Sequence, residues 1–182
     1  MSVENISIKR DLLLSKDVDN ESVGDLMKEI YEINYDDDQK QKELNSFERK
    51  PIMLHIDTCG GSCYDGWGLI GTIEHSKTPV YTICEGYAMS MGLPILLSGK
   101  KRYAYKYSTI LYHEISGWNW GKLTQLKEDT KQFDILQNLL DTYVLDKTKI
   151  LQDKLKEVRE RKIDWFISAK EALKLGIVDE VI

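Results

Sequence analysis

Only three prolines, three cysteines and three histidines occur in this chain of 182 residues, and each scarcity excludes something. Few prolines leave room for long helices and rule out a proline-rich, disordered character. Three cysteines, Cys59, Cys63 and Cys84, cannot all pair, so a disulfide-stapled secreted scaffold is not expected. No stretch of 18 apolar residues is present, so no membrane span is expected. The opening residues, Met1-Ser2-Val3-Glu4-Asn5, lack a basic region followed by an apolar run, so no secretory signal is read there and a cytoplasmic location is expected. Positive charge is not in excess either. The net charge of -5 argues against a dedicated nucleic-acid binder. With 42% apolar and 30% charged residues, the chain has the composition of one globular domain.

Hydrophobic periodicity organises the rest. Asp11-Leu12-Leu13-Leu14 reads as a short strand, and Val23, Leu26, Met27 and Ile30 follow at helical spacing behind the N-caps Asp19 or Asn20. Residues 36–50, DDDQKQKELNSFERK, read as a solvated loop or helix extension outside the core. Pro51 opens the strand Ile52 to Asp57, and Trp67, Ile70, Ile73 and Glu74 mark a helix over 64–77. Val80 to Cys84 reads as a strand broken by Gly86, and Ala88 to Leu97 as an apolar helix with Pro94 in its first turns. Tyr103 to Tyr112 is a long strand-like run. Leu126, Phe133, Leu136, Leu140 and Tyr143 place one apolar stripe on a helix over about 123–145. A charged helix over 149–162 follows. Ser168 and Glu171 form a capping box, Gly176 ends that short helix, and residues 177–182 close the chain as a strand. Strands alternating with helices predict an α/β fold.

His55, Cys59 and Cys63 recur every four residues, but Gly60 and Gly61 interrupt them and no fourth ligand stands near, so no zinc site is expected. The two glycine turns, Cys59-Gly60-Gly61-Ser62 and Gly86 to Gly92, match neither a dinucleotide fingerprint nor a P-loop. Ser90 stands alone in an apolar segment. A helix N-cap is the simpler local account of it; the chemical alternative is a nucleophile whose oxyanion meets its neighbour's amide and an amide from a second loop. Of the histidines that would activate it, His113 ends a strand, His55 lies within one, and His75 sits near a helix end.

Five blocks in order resemble ClpP, the proteolytic subunit of the Clp protease: Ile56 to Ser62, Thr82 to Gly92, Ile110 to His113, Asp164 to Ala172, and Gly176 to Asp179. The resemblance runs from about residue 10 to the end. It implies Ser90 as nucleophile, His113 as general base, Asp164 as orienting carboxylate, and the backbone amides of Gly61 and Met91 as the oxyanion hole. It implies a single peptidase domain over 1–182 with a crotonase-like ββα spiral and a protruding helical handle over about 117–145. It further implies a homo-oligomer of two stacked heptameric rings around a proteolytic chamber, and an AAA+ unfoldase that spends the ATP, so that this chain needs no cofactor or metal of its own. Serine endopeptidase is the expected activity. A non-catalytic scaffold subunit of a Clp-like ring, and another crotonase-fold enzyme such as an acyl-CoA hydratase or a Ser–Lys peptidase, are the alternatives. Four departures bear on these expectations. Cys59 replaces the usual proline before the paired glycines, the segment before Asp11 is shorter than the family's axial region, and the 36–50 segment is longer. Met53, His55, His75 and Glu85 fall where apolar residues receive the unfoldase loop, so weak activation by a standard unfoldase is expected.

Overall fold

Pro51 separates a charged segment from β2 (Ile52–Thr58), where Ile52, Leu54, Ile56 and Thr58 are buried and Met53, His55 and Asp57 between them are only partly covered. That alternation is the signature of a strand with one fully buried face. β2 pairs in parallel with β1 (Asp11–Leu14) on one side and with β3 (Val80–Met89) on the other. The computed structural model describes residues 9–44 and 46–182. The segment before Asp11, expected to be short, therefore lies largely outside the described residues.

β4 (Lys101–Ala104) and β7 (Glu180–Val181) extend the sheet, giving the order β1-β2-β3-β4-β7. β5 (Thr109–Tyr112) pairs in parallel with the second half of β3, and β6 (Trp165–Ser168) pairs antiparallel with β5. The buried face is covered by α1 (Asn20–Glu43), α2 (Cys63–His75) and α3 (Gly92–Leu97). Ile30, Ile33, Leu54, Ile56, Leu69 and Leu96 are fully enclosed there, each worth about 2 kcal/mol of apolar transfer. The chain is thus a mixed α/β structure on a largely parallel sheet.

Gly86 does not break β3. A side chain at Gly86 would come within 2.5 Å of Asp57 Oδ1, so the missing Cβ is what lets that carboxylate reach the Tyr87 N–H, which donates to it at 3.1 Å. Between the pairs Ile56–Cys84 and Thr58–Ala88 the register shifts, because β3 carries extra residues at this point. Beyond the shift β3 leaves β4 and pairs with β5. Ala88 and Met89 are therefore strand, and the helix expected from Ala88 starts only at Gly92. The same switch splits the expected run from Tyr103 to Tyr112 into two strands, joined by a turn in which the Ser108 N–H donates to the Tyr105 carbonyl at 3.0 Å.

Two further expectations change in part. The first half of the charged segment is the helix extension, α1 continuing through Glu43, but it is not all outside the core: Asp37 is fully buried, where it accepts from the Arg10 guanidinium and, at 2.6 Å, from the Thr78 hydroxyl. Periodicity shows apolar faces but not a buried ion pair on a polar helix. The stripe on α4 (Leu123–Lys147) also divides: Leu136 and Leu140 are buried within their own chain, Leu126 and Tyr143 are half-buried, and Phe133 is exposed; outside the stripe, Val144 is buried while Leu123, Ile135 and Leu139 are exposed. α5 (Gln152–Glu160) and α6 (Ala169–Leu175) complete the helices. Ser168 caps α6, its hydroxyl accepting from the Glu171 N–H at 3.3 Å, and the closing strand shrinks to two residues.

Burial works against charge on Asp37, but the Arg10 and Thr78 hydrogen bonds outweigh it and hold the carboxyl below its ordinary 3.8. A depressed carboxylate pKa contributes stability above the unfolded value that disappears as pH falls through the folded one. Urea unfolding should therefore show Asp37→Ala destabilised by about 3–5 kcal/mol at neutral pH, because Arg10 is left without its partner. Asp37→Asn should lose less stability than the wild type as pH drops below about 4.

Candidate active site

β5 is held on both edges, and its register sets the site. Met89 pairs with Leu111 on the β3 side, and the Ser90 N–H donates to the Leu111 carbonyl at 3.1 Å. On the other side Tyr112 pairs with Trp165 in antiparallel sense, so the next residues outward are His113 and Asp164. Ser90, His113 and Asp164 thus leave three adjacent strands at one end. His113 Nε2 lies 2.8 Å from Ser90 Oγ. With the ring proton on Nδ1, Nε2 accepts from the serine hydroxyl. Asp164 Oδ1 stands 3.8 Å from His113 Nδ1, beyond a direct hydrogen bond, and its side chain is 62% exposed.

Ser90 is not the N-cap that its local sequence suggests. Met91 occupies that position, without a side-chain cap, and Ser90 lies one residue before it at φ +52. A non-glycine residue in the left-handed region costs on the order of 1–3 kcal/mol and is held there by its surroundings. Leu93 N–H donates to the Ser90 carbonyl at 3.1 Å, so the tight strand-to-helix turn is bonded from both sides.

The loop after β2 closes onto this turn. Gly60 has φ +98, and a Cβ there would meet Ser90 Cβ at 2.7 Å and the Met91 nitrogen at 2.8 Å. Glycine is required on both counts. Among the described residues neither Gly61 N–H nor Met91 N–H donates to a backbone acceptor, which leaves both amides available beside the serine turn.

Sequence reading missed two residues that fix this loop. Thr58 is buried; its hydroxyl donates to the Lys16 carbonyl at 2.6 Å and accepts the Gly60 N–H at 3.1 Å. Val18 donates its N–H to the Gly60 carbonyl at 2.8 Å and accepts from Ser62 N–H at 2.7 Å. The one signal for Val18 was a lone apolar residue among charged neighbours, Lys16-Asp17-Val18-Asp19.

The remaining candidates lie elsewhere. His55 Nδ1 is 2.8 Å from Glu85 Oε1 and its Nε2 is 3.6 Å from Asp11 Oδ1, so three adjacent strands share a polar cluster. His75 is apart from it, at the end of α2 in a groove that Met27 and Tyr31 of α1 also line, with its Nδ1 2.9 Å from the Gly71 carbonyl. Burial pushes the Cys84 thiol up to about 12 and raises Cys63 as well, so neither is a thiolate at neutral pH. Among the described residues no group of three or more His, Cys, Asp or Glu side chains is placed to hold a metal, and no helix is long and apolar enough to cross a membrane.

The model of the family described as Clp protease matches residues 2–182. The chain belongs to the Clp protease family. It is 36% identical over 135 residues to "ATP-dependent Clp protease proteolytic subunit 1" of Synechococcus sp. (strain CC9902), a match spanning 73% of this chain and 68% of that one. Subunit 2 of Synechococcus sp. (strain CC9605) is 34% identical over the same shares. Subunit 1 of Prochlorococcus marinus (strain NATL2A) is 28% identical over 175 residues, 95% of this chain and 83% of its own. Membership in the Clp protease family agrees with the order of the five sequence blocks, and the identities leave ample room for the departures at Cys59, His55 and Glu85.

Gly60→Ala tests the contact between the two loops. A folded protein is expected whose peptide hydrolysis falls about a hundredfold, the effect of displacing a reacting group by about 1 Å. Gly68→Ala, where an added Cβ meets nothing within 4 Å, should keep full turnover and raise stability by about 0.5–1 kcal/mol. Equal turnover in both variants would mean that the Gly60 loop does not bear on Ser90.

Proposed function

We propose that this Clp protease family member is a serine endopeptidase in which Ser90 is the nucleophile, His113 the general base and Asp164 the carboxylate that orients it. The observation that carries the reading is the 2.8 Å contact between Ser90 Oγ and His113 Nε2, with the serine on a strained turn at a helix start. Ser90 Oγ attacks the peptide carbonyl carbon as its proton passes to His113 Nε2. The carbonyl oxygen becomes an oxyanion that takes hydrogen bonds from Gly61 and Met91 N–H. Collapse breaks the C–N bond, and His113 returns the proton to the departing amine. Water then enters by the same route in reverse and frees the acyl group. Asp164 closes from 3.8 Å to stabilise the imidazolium, since such contacts often tighten only in the loaded site. The Ser90–His113 contact weighs against a non-catalytic scaffold role.

The same reading makes the fold a crotonase-like ββα spiral in one domain, with the exposed first half of α4 as its handle. Leu123, Phe133, Ile135 and Leu139 leave apolar area exposed around α4, with Ile135 and Leu139 one turn apart on one face, and this exposure favours cover by another copy, in a homo-oligomer of stacked rings. The relatives' names include ATP dependence, which by this reading belongs to an AAA+ unfoldase acting on the ring and not to this chain. The His55–Glu85 pair sets the character of any docking loop there, because covering it with an apolar side chain costs several kcal/mol.

Ser90→Ala should abolish hydrolysis of a fluorogenic peptide, a loss of about a million-fold, without altering the particle. Asp164→Asn should slow it about 10⁴-fold through the wrong imidazole tautomer. Retention of activity in Ser90→Ala overturns the assignment. For assembly, the double variant Phe133→Glu, Ile135→Glu should sediment as smaller species than the wild type, and an unchanged profile would remove α4 from the interface.

A further inference from the structure

The proposed base is flanked by a partly buried polar network that no step of the reaction uses. Tyr112, immediately before His113, is 1% exposed, and its hydroxyl donates to Asp141 Oδ1 on α4. Ile115, two residues after His113, donates its N–H to Gln137 Oε1 at 2.7 Å. Gln137 and Asp141 are one helical turn apart and bonded to each other, Gln137 Nε2 donating to Asp141 Oδ1 at 2.7 Å. Arg159 of α5 neutralises the cluster, its guanidinium donating to Asp141 Oδ2 at 2.8 Å. Burial, then the adjoining carboxylate, raise the Tyr112 phenol and keep it a donor.

These bonds grip the chain on both sides of His113. The Asp164 carboxylate stands 3.8 Å from Nδ1 and is mostly in solvent, so it does not fix the ring by itself. Ser90 holds one edge of the imidazole. What remains to set the direction of the ring is the backbone from Tyr112 to Ile115, and α4 holds that backbone at both ends. We infer that Gln137 and Asp141 are positioning residues for the proposed base, acting through Tyr112 and the Ile115 amide to aim His113 Nε2 at Ser90. The inference rests on the serine-peptidase reading above. Periodicity alone places Gln137 on the same helix face as Leu136 and Leu140, where a side chain serving only packing would be apolar.

A same-helix control separates positioning from general stability. Tyr143 of α4 is a second largely covered tyrosine bonded to a carboxylate, its hydroxyl donating to Glu74 Oε1 at 2.8 Å, and none of its hydrogen bonds reaches the His113 segment. The experiment measures kcat and KM for a fluorogenic peptide, and the rate of Ser90 labelling by a fluorophosphonate, per folded subunit and beside the melting temperature. Tyr112→Phe and Gln137→Leu should each lower kcat and the labelling rate by roughly ten- to a hundredfold with KM within about twofold. Their double variant should fall short of the product of the two losses, because both act on one segment. Tyr143→Phe should lower the melting temperature with kcat unchanged. If Tyr112→Phe and Gln137→Leu melt earlier but turn over like the wild type per folded site, the network is structural and the inference is wrong. A wild type that neither labels at Ser90 nor cleaves peptide overturns the peptidase reading and this inference with it, whereas a reactive wild type with unaffected variants overturns this inference alone.

Discussion

The pairing of β5 is the constraint on which the rest of the site depends. Four residues, Thr109 to Tyr112, are hydrogen-bonded in parallel to β3 and antiparallel to β6. Strand register admits only steps of one residue, and each such step turns a side chain to the opposite face. The parallel register brings the residue after Met89 level with the end of β5; the antiparallel register brings the residue before Trp165 to the same place. Ser90, His113 and Asp164, separated by up to 74 positions, converge for that reason. β3 changes partner from β4 to β5 at the same point where its register against β2 shifts, near Gly86, and there the Asp57 carboxylate accepts from the Tyr87 amide.

Around that frame, polar contacts set where the connecting loops lie. Thr58 and Val18 hold the Gly60 loop down on the serine turn, so the β1–α1 connection contributes to the site without supplying a reacting group. Gln137 and Asp141 do the corresponding work for the segment after β5. The left-handed conformation of Ser90 costs stability that the enclosed side chains of β2, β3 and α3 offset several times over. The exposed part of α4 is the opposite case: Leu123, Ile135 and Leu139 stand largely in solvent, and the proposed assembly would cover them.

Most of the elements were legible because their patterns are local. β2 alternates, α2 and α4 carry apolar residues at helical spacing, and Ser168 with Gly176 brackets α6. The failures share a physical cause, which is that a distant partner decided the outcome. Gly86 reads as a breaker until Asp57 is found beside it. Ser90 reads as a helix cap until β5 is seen to hold its amide. Asp37 reads as a solvated charge until Arg10 and Thr78 enclose it. The proposed site residues came from the resemblance, because Ser90, His113 and Asp164 sit in strands and turns whose meeting no local spacing reveals. Tyr112, Gln137 and Asp141 left no recognisable mark beyond a polar residue on an apolar helix face.

The central claim, that β5 register assembles a serine-peptidase centre from three strand ends, is tested most directly by a crystal structure of the protein after reaction with a peptidyl phosphonate. The account predicts a covalent bond from Ser90 Oγ to phosphorus, with the phosphonyl oxygen within hydrogen-bond distance of Gly61 and Met91 N–H. It also predicts that His113 Nδ1 has closed onto Asp164. A phosphonate bound to any other residue, or an adduct at Ser90 whose oxygen points away from both amides with His113 turned from Asp164, would contradict it.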